Sequence, residues 1–144
     1  MFTTVSSRSA NAYRHVGIET SIGSANPHQL IVLLFDALLQ SIASARAALA
    51  RGDVATKGKE ITKAVRILEE GLRGSLDKTE TSGLAENLNA VYSYSVMRLT
   101  AANFKNSDAM LVEVHDLIVQ ISEAWRQVNH AEAAPAVTPA SKRA

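Results

Sequence analysis

The stretch Asn26-Pro27-His28-Gln29-Leu30-Ile31-Val32-Leu33-Leu34-Phe35-Asp36-Ala37-Leu38-Leu39 decides the fold. Asn26 is a helix cap, Pro27 suits the first helical position, and the Gln29 side chain, three residues after the cap, reaches back to the cap backbone. Apolar residues then recur at three- and four-residue steps, which predicts a helix from Pro27 to about Ala50. Its densest segment, Leu30 to Leu39, carries only Asp36 as a polar residue. That is about half the ~20 residues needed to span a bilayer, so the segment reads as a packed helix rather than a membrane insertion.

Working outward, Arg51-Gly52-Asp53 closes this helix, with Gly52 free to take positive φ and Asp53 placed to cap the next. The second helix carries Val54, Ile61, Val65, Leu68, Leu72 and Leu76. Gly71 and Gly74 within it each cost about 0.5 to 1 kcal/mol relative to alanine and mark fraying toward its end. The polar run Asp77 to Gly83 is the longest internal break. Leu84, Leu88, Val91, Ser95, Leu99 and Ala102 define a third helix, with Ser95 its weak member. Asn106-Ser107-Asp108 offers a stop and a new cap, followed by Leu111, Val114, Leu117, Ile118, Ile121, Trp125 and Val128. No segment shows strand alternation or a hairpin signal. The expected fold is all-α, an antiparallel up-down four-helix bundle over residues 27–130. A flexible arm that is at most a short helix precedes it over 1–26, and a disordered tail containing Pro135 and Pro139 follows over 131–144.

A chain of 144 residues with 47% hydrophobic content supports one domain and one core. The absence of cysteine removes disulfides, thiolate metal sites and cysteine nucleophiles, and fits a reducing compartment. Met1 to Ser9 is not followed by an apolar run of signal-peptide length, so a cytoplasmic location is expected. A net charge of +1 favours neither nucleic acid nor an anionic membrane as a partner.

Chemical motifs are scarce. A di-iron bundle needs Glu-x-x-His pairs, whereas Glu113 and His115 are two apart and fall on different helix faces. His15, His28, His115 and His130 contain no pair at the four-residue spacing of a helical zinc site. His28 or His115 on a four-helix phosphotransfer domain is one alternative, although neither is followed by the Lys and Gly of that family. There is no Gly-x-Ser-x-Gly turn and no phosphate-cradling glycine loop. No catalytic residue, metal or cofactor is therefore expected. Lys57, Lys59, Lys63 and Arg66 give the second helix a basic side. It reads as a solvated face, partly paired through Arg66 to Glu70 and Glu69 to Arg73, with a docking patch as the other reading.

One feature exceeds what a plain bundle needs. The first helix carries two apolar stripes: Leu30, Leu34, Ala37, Leu38, Ser41 and Ala45, and beside them Ile31, Phe35, Leu39 and Ile42. The third shows Tyr92, Val96 and Phe104 beside its core stripe, with Tyr94 and Met97 elsewhere on its surface. Leaving several large apolar side chains in water forgoes about 1.5 to 3 kcal/mol each and invites association. Either a partner covers the second stripe or a wide apolar arc fits a tight bundle.

The ordered set Ala12-Tyr13, Asn26-Pro27-His28-Gln29-Leu30-Ile31, Leu34-Phe35-Asp36, Ser75-Leu76-Asp77, Leu84-Ala85-x-Asn87-Leu88, Tyr92-x-Tyr94, Ala102-Asn103 and Ala124-Trp125 resembles the FliS family, from about Ala12 to Val128. Ser95 stands where that family commonly has Met, and Ala10 where a larger apolar residue is frequent. The resemblance implies a non-catalytic cytoplasmic export chaperone that binds the C-terminal helical region of flagellin and holds it from polymerising. It also implies handover to a membrane-embedded flagellar export gate protein. Client-binding residues expected on this basis are Tyr13 as an arm anchor, Ile31, Phe35 and Ile42 on the first helix, and Tyr92, Val96 and Met97 on the third. A generic four-helix adaptor or the histidine phosphotransfer domain is the rival class.

Overall fold

The structure, a computed structural model, describes residues 26–77 and 79–133, with side chains to residue 128. The arm preceding Asn26, with Tyr13, and the tail beyond Ala133 lie outside the described residues. Among the described residues four helices form: α1 (Pro27–Ala50), α2 (Val54–Arg66, continued by a π-helical turn Ile67–Leu72 and a 3-10 turn Arg73–Ser75), α3 (Leu84–Lys105) and α4 (Asp108–Ala133). α4 runs three residues past the boundary expected at residue 130.

The local signals act as anticipated. The Asn26 side chain accepts from Gln29 N at 2.8 Å while Asn26 N donates to the Gln29 side chain at 3.0 Å, a complete capping box. Gly52 takes φ +76°, and the Asp53 carboxylate accepts from Thr56 N at 3.1 Å. At the last turn Asn106 adopts φ 52°, and Ser107 Oγ accepts from Met110 N at 3.2 Å.

α1 and α3 lie diagonally, each packed between α2 and α4. Polar contacts fix α1 against α4, and α2 against α3, as antiparallel. Arg46 near the end of α1 makes a two-pronged ion pair with Asp108 at the start of α4, at 2.7 and 3.1 Å. Asp36 in the first half of α1 meets Arg126 late in α4 at 2.5 Å. Lys57 early in α2 reaches Asn103 late in α3, and Arg73 late in α2 reaches Asn89 early in α3. The up-down arrangement is thus the one the short loops require.

This square geometry settles the double stripe on α1. A helix flanked on two sides must bury two adjacent seams, so its apolar arc is wide. Leu30, Leu34, Leu38 and Ala45 from one stripe and Phe35 and Ile42 from the other all lie in the core. Phe35 and Ile42, expected on a client surface, are corrected to core residues, at 1% and 0% exposure. Ile31 and Leu39 are half-buried against that core. α1 is long and apolar enough to cross a membrane by length and composition, but here it is the helix that fills the core.

Two polar residues depart from expectation. Lys57, placed with the solvated basic face, is buried at 3% exposure, whereas Lys59, Lys63 and Arg66 are not. The expected pairs on that face do form, Arg66 with Glu70 at 3.5 Å and Arg73 with Glu69 at 2.8 Å. Ser95 is fully buried, and its hydroxyl has no hydrogen-bond partner among the described residues. Burying such a group costs about 1 to 3 kcal/mol. Ser95→Ala is therefore expected to stabilise the protein by about 1 kcal/mol in urea unfolding; a loss of stability would show that the hydroxyl finds a partner.

Three carboxylates sit below their ordinary range: Asp53 through hydrogen bonds from Thr56, Asp108 through its bond from Arg46, and Glu113 through bonds from Tyr94 and then Arg98. A depressed folded pKa means that the stabilisation is complete above the unfolded pKa and is lost as pH falls through the folded one. The urea midpoint should hold from neutrality to about pH 5 and fall below about pH 4. Arg46→Gln should flatten part of that fall, and an unchanged acid limb in this variant would remove the Asp108 contribution.

Candidate functional site

Where α1 begins, α2 ends, α3 begins and α4 ends, the bundle leaves a cleft of about 470 Å³. That volume lies within the ~300 to 1,000 Å³ of small-ligand sites. α1 contributes Pro27, His28 and Ile31; the end of α2 contributes Leu72, Ser75 and Leu76; α3 contributes Leu84, Ala85, Leu88 and Tyr92; α4 contributes Trp125 and Val128. Asp77 and Glu80 of the α2–α3 connection complete the rim.

The polar groups at the cleft are engaged around its rim. The Trp125 indole N–H donates to the His28 carbonyl at 3.3 Å, and the two rings lie 4.7 Å apart at a 31° tilt. This pair holds the first turn of α1 against α4. The Glu80 carboxylate accepts from Ser82 N at 2.7 Å and Ala85 N at 3.1 Å, so it caps the start of α3. Asp77 accepts from the backbone and hydroxyl of Thr79 at 3.0 and 2.6 Å. The inward-facing remainder is largely aliphatic and aromatic. Tyr92 forms part of the wall while itself 2% exposed, and that burial pushes its phenol above the ordinary tyrosine range.

Of the residues singled out from sequence, Ile31 and Tyr92 meet in this cleft. Val96 is half-buried against the core one turn further along α3. Met97 is elsewhere, 60% exposed on the α3 surface that also carries Tyr94 and Phe104, the latter 87% exposed. Tyr94 donates its hydroxyl to Glu113, which also pairs with Arg98 at 2.8 Å and so ties α3 to α4. Tyr13 lies outside the described residues. Leu72, Leu76, Leu84, Leu88, Trp125 and Val128 went unassigned from sequence as site residues. Each belongs to an ordinary core stripe when its helix is read alone, and only the meeting of the helix ends turns them to one place.

Among the described residues, no nucleophile and base are paired in the cleft. Its capacity is to take apolar side chains from a peptide, each worth about 1.5 to 3 kcal/mol when buried. The lips, Leu84 and Val128, are 53% and 49% exposed, and the lining drawn from all four helices suits a helix face rather than a single side chain.

Several known proteins are similar to this chain in sequence. The profile described as "Flagellar protein FliS" matches residues 9–132. The flagellar secretion chaperone FliS of Salmonella typhimurium is 40% identical over 118 residues, covering 82% of this chain and 87% of its own. Flagellar secretion chaperone FliSB of Pseudomonas aeruginosa is 39% identical over 118 residues, 82% of this chain and 93% of its own. FliS of Bacillus subtilis is 31% identical over 114 residues, 79% and 84% respectively.

Proposed function

Since the chain belongs to the FliS family of flagellar secretion chaperones, we propose that its client is the C-terminal helical region of flagellin, held in the apolar cleft and kept from polymerising. The observation that carries this reading is an open, largely aliphatic cleft where the ends of all four helices meet above the core. A segment that polymerises through an apolar helix face loses that face when it docks there, which is helix-in-groove recognition coupled to folding.

Ile31 and Tyr92 contact the client within the cleft, and Val96 and Met97 extend the contact along α3. Phe35 and Ile42, buried in the core, brace α1 rather than touch the client. The arm bearing Tyr13 joins the bundle at Pro27, on the lip, and anchors there against part of the same surface. The complex is then delivered to the membrane-embedded gate of the flagellar export apparatus, all within the cytoplasm and without catalysis by this chain.

Calorimetric titration with a C-terminal flagellin fragment from the same organism, with light scattering to follow polymerisation, tests the reading. Expected are one-to-one binding, a negative heat-capacity change and suppressed polymerisation. No heat at tens of micromolar fragment from a folded sample would refute it.

A further inference from the structure

The wall of the cleft formed by α2 is not wound as the rest of that helix is. Ile67–Leu72 forms a π-helical turn and Arg73–Ser75 a 3-10 turn, before Leu76 leaves in extended geometry at φ −69°, ψ 139°. A π turn holds one residue more than an α turn, so the residues beyond it are retarded by about 100° relative to an unbroken α-helix. Within this turn Ile67, Leu68, Gly71 and Leu72 are all buried. Leu72, Ser75 and Leu76 then line the cleft. The slip in winding therefore decides which side chains make this wall.

The surroundings suit a wall that moves. The Ser75 hydroxyl donates to Gly71 O at 2.8 Å, a side-chain bond of the kind that competes with the helical ladder. Gly74 is exposed, and a methyl group there would meet nothing within 4 Å, so packing does not require glycine at that position. Arg73 bonds Glu69 at 2.8 Å and Asn89 at 2.9 Å on the exposed side, contacts that its long side chain can exchange as the turn rewinds. Beyond Leu76 the connection to α3 is polar, with Asp77, Thr79, Thr81 and Ser82 exposed, and can take up or return one residue.

We infer that the π turn is an adjustable wall of the cleft. When an apolar helical segment enters, the extra residue of the turn passes down α2 into the connection to α3, and Leu72 and Leu76 shift to fit side chains of different volume. The occupant rests on the reading of the cleft as the flagellin site; the winding itself is a property of the free protein.

Hydrogen exchange on the full chain tests this, using the wild type, Gly74→Ala, and a variant lacking Glu70. In the free wild type, amides of residues 70–76 should exchange at least tenfold faster than those of 44–50, the equivalent last turns of α1. The C-terminal flagellin fragment at saturation should slow them at least tenfold. Removing Glu70 takes out the extra residue, so residues 67–75 close as one α-helix with the downstream register kept. Exchange over 70–76 should then fall to the level of 44–50, the melting temperature hold or rise, and affinity for the fragment drop at least fivefold. Gly74→Ala should move exchange and affinity the same way by a smaller factor.

Wild-type exchange over 70–76 as slow as over 44–50, or wild-type affinity in the variant lacking Glu70, would overturn the inference. Should that variant not fold, unchanged exchange and affinity in Gly74→Ala would overturn it equally. A wild type that ignores the fragment defeats the client reading instead, and the exchange of the free proteins then decides the winding alone.

Discussion

Leu84→Glu is expected to weaken binding of the C-terminal flagellin fragment about 100-fold, about 2.8 kcal/mol, while the free protein melts within about 2 °C of the wild type. The two halves of that expectation have separate causes. In the free protein Leu84 is the first residue of α3 and 53% exposed. A carboxylate in the first turn is favoured by the helix dipole, and the nearby Glu80 carboxylate, already engaged with Ala85 N, offsets only part of this. In the complex the same carboxylate sits on the lip of an apolar cleft and must be desolvated without a partner, beside the loss of the leucine contact. Val128→Glu on the opposite lip should act in the same direction. Val54→Glu, at the far end of α2 and equally exposed at 53%, should not. If both lip variants titrate like the wild type, the client lies elsewhere on the bundle.

The distribution of these residues explains what the sequence could reveal. Asn26, Pro27 and Gln29 specify a helix start through contacts within four residues, and Gly52 with Asp53 does the same for the first turn, so local chemistry suffices. The identity of the α1 core face needed the neighbours. Phe35 and Ile42 look surplus on an isolated helix and become interior once α2 and α4 both flank it. The cleft is harder still, because its lining runs from Pro27 to Val128 and comes from five segments that only the folded bundle brings together.

The π turn left a trace that periodicity alone does not weigh. Leu68, Leu72 and Leu76 keep strict four-residue steps, which drift about 40° per step around an α-helix. A wider turn removes that drift, and Gly71 and Gly74, read as fraying, lie where the backbone changes its winding.

Lys57→Met should destabilise the protein by about 2 kcal/mol in urea unfolding, with no effect on the fragment's affinity beyond that of the lost fold. Two large terms oppose. Taking an ammonium out of water costs several kcal/mol, and replacing a buried charged pair with a hydrophobe is often neutral. Here the ammonium meets amide oxygens rather than a carboxylate; it donates to Asn103 O at 2.9 Å and to Asn103 Oδ1 at 2.7 Å. Asn103 lies in the last turn of α3, where carbonyls lack helical donors and the dipole end is negative. Two charge-assisted bonds of about 1.5 to 3 kcal/mol each, together with the dipole, outweigh the desolvation. Methionine keeps the volume of the lysine stem, so little packing is lost, but both Asn103 oxygens lose their donor. A double-mutant cycle with Asn103→Ala isolates the contact, with a coupling of at least about 1 kcal/mol expected. A neutral or stabilising Lys57→Met would mean that desolvation dominates, and that the start of α2 and the end of α3 are held together by the apolar core alone.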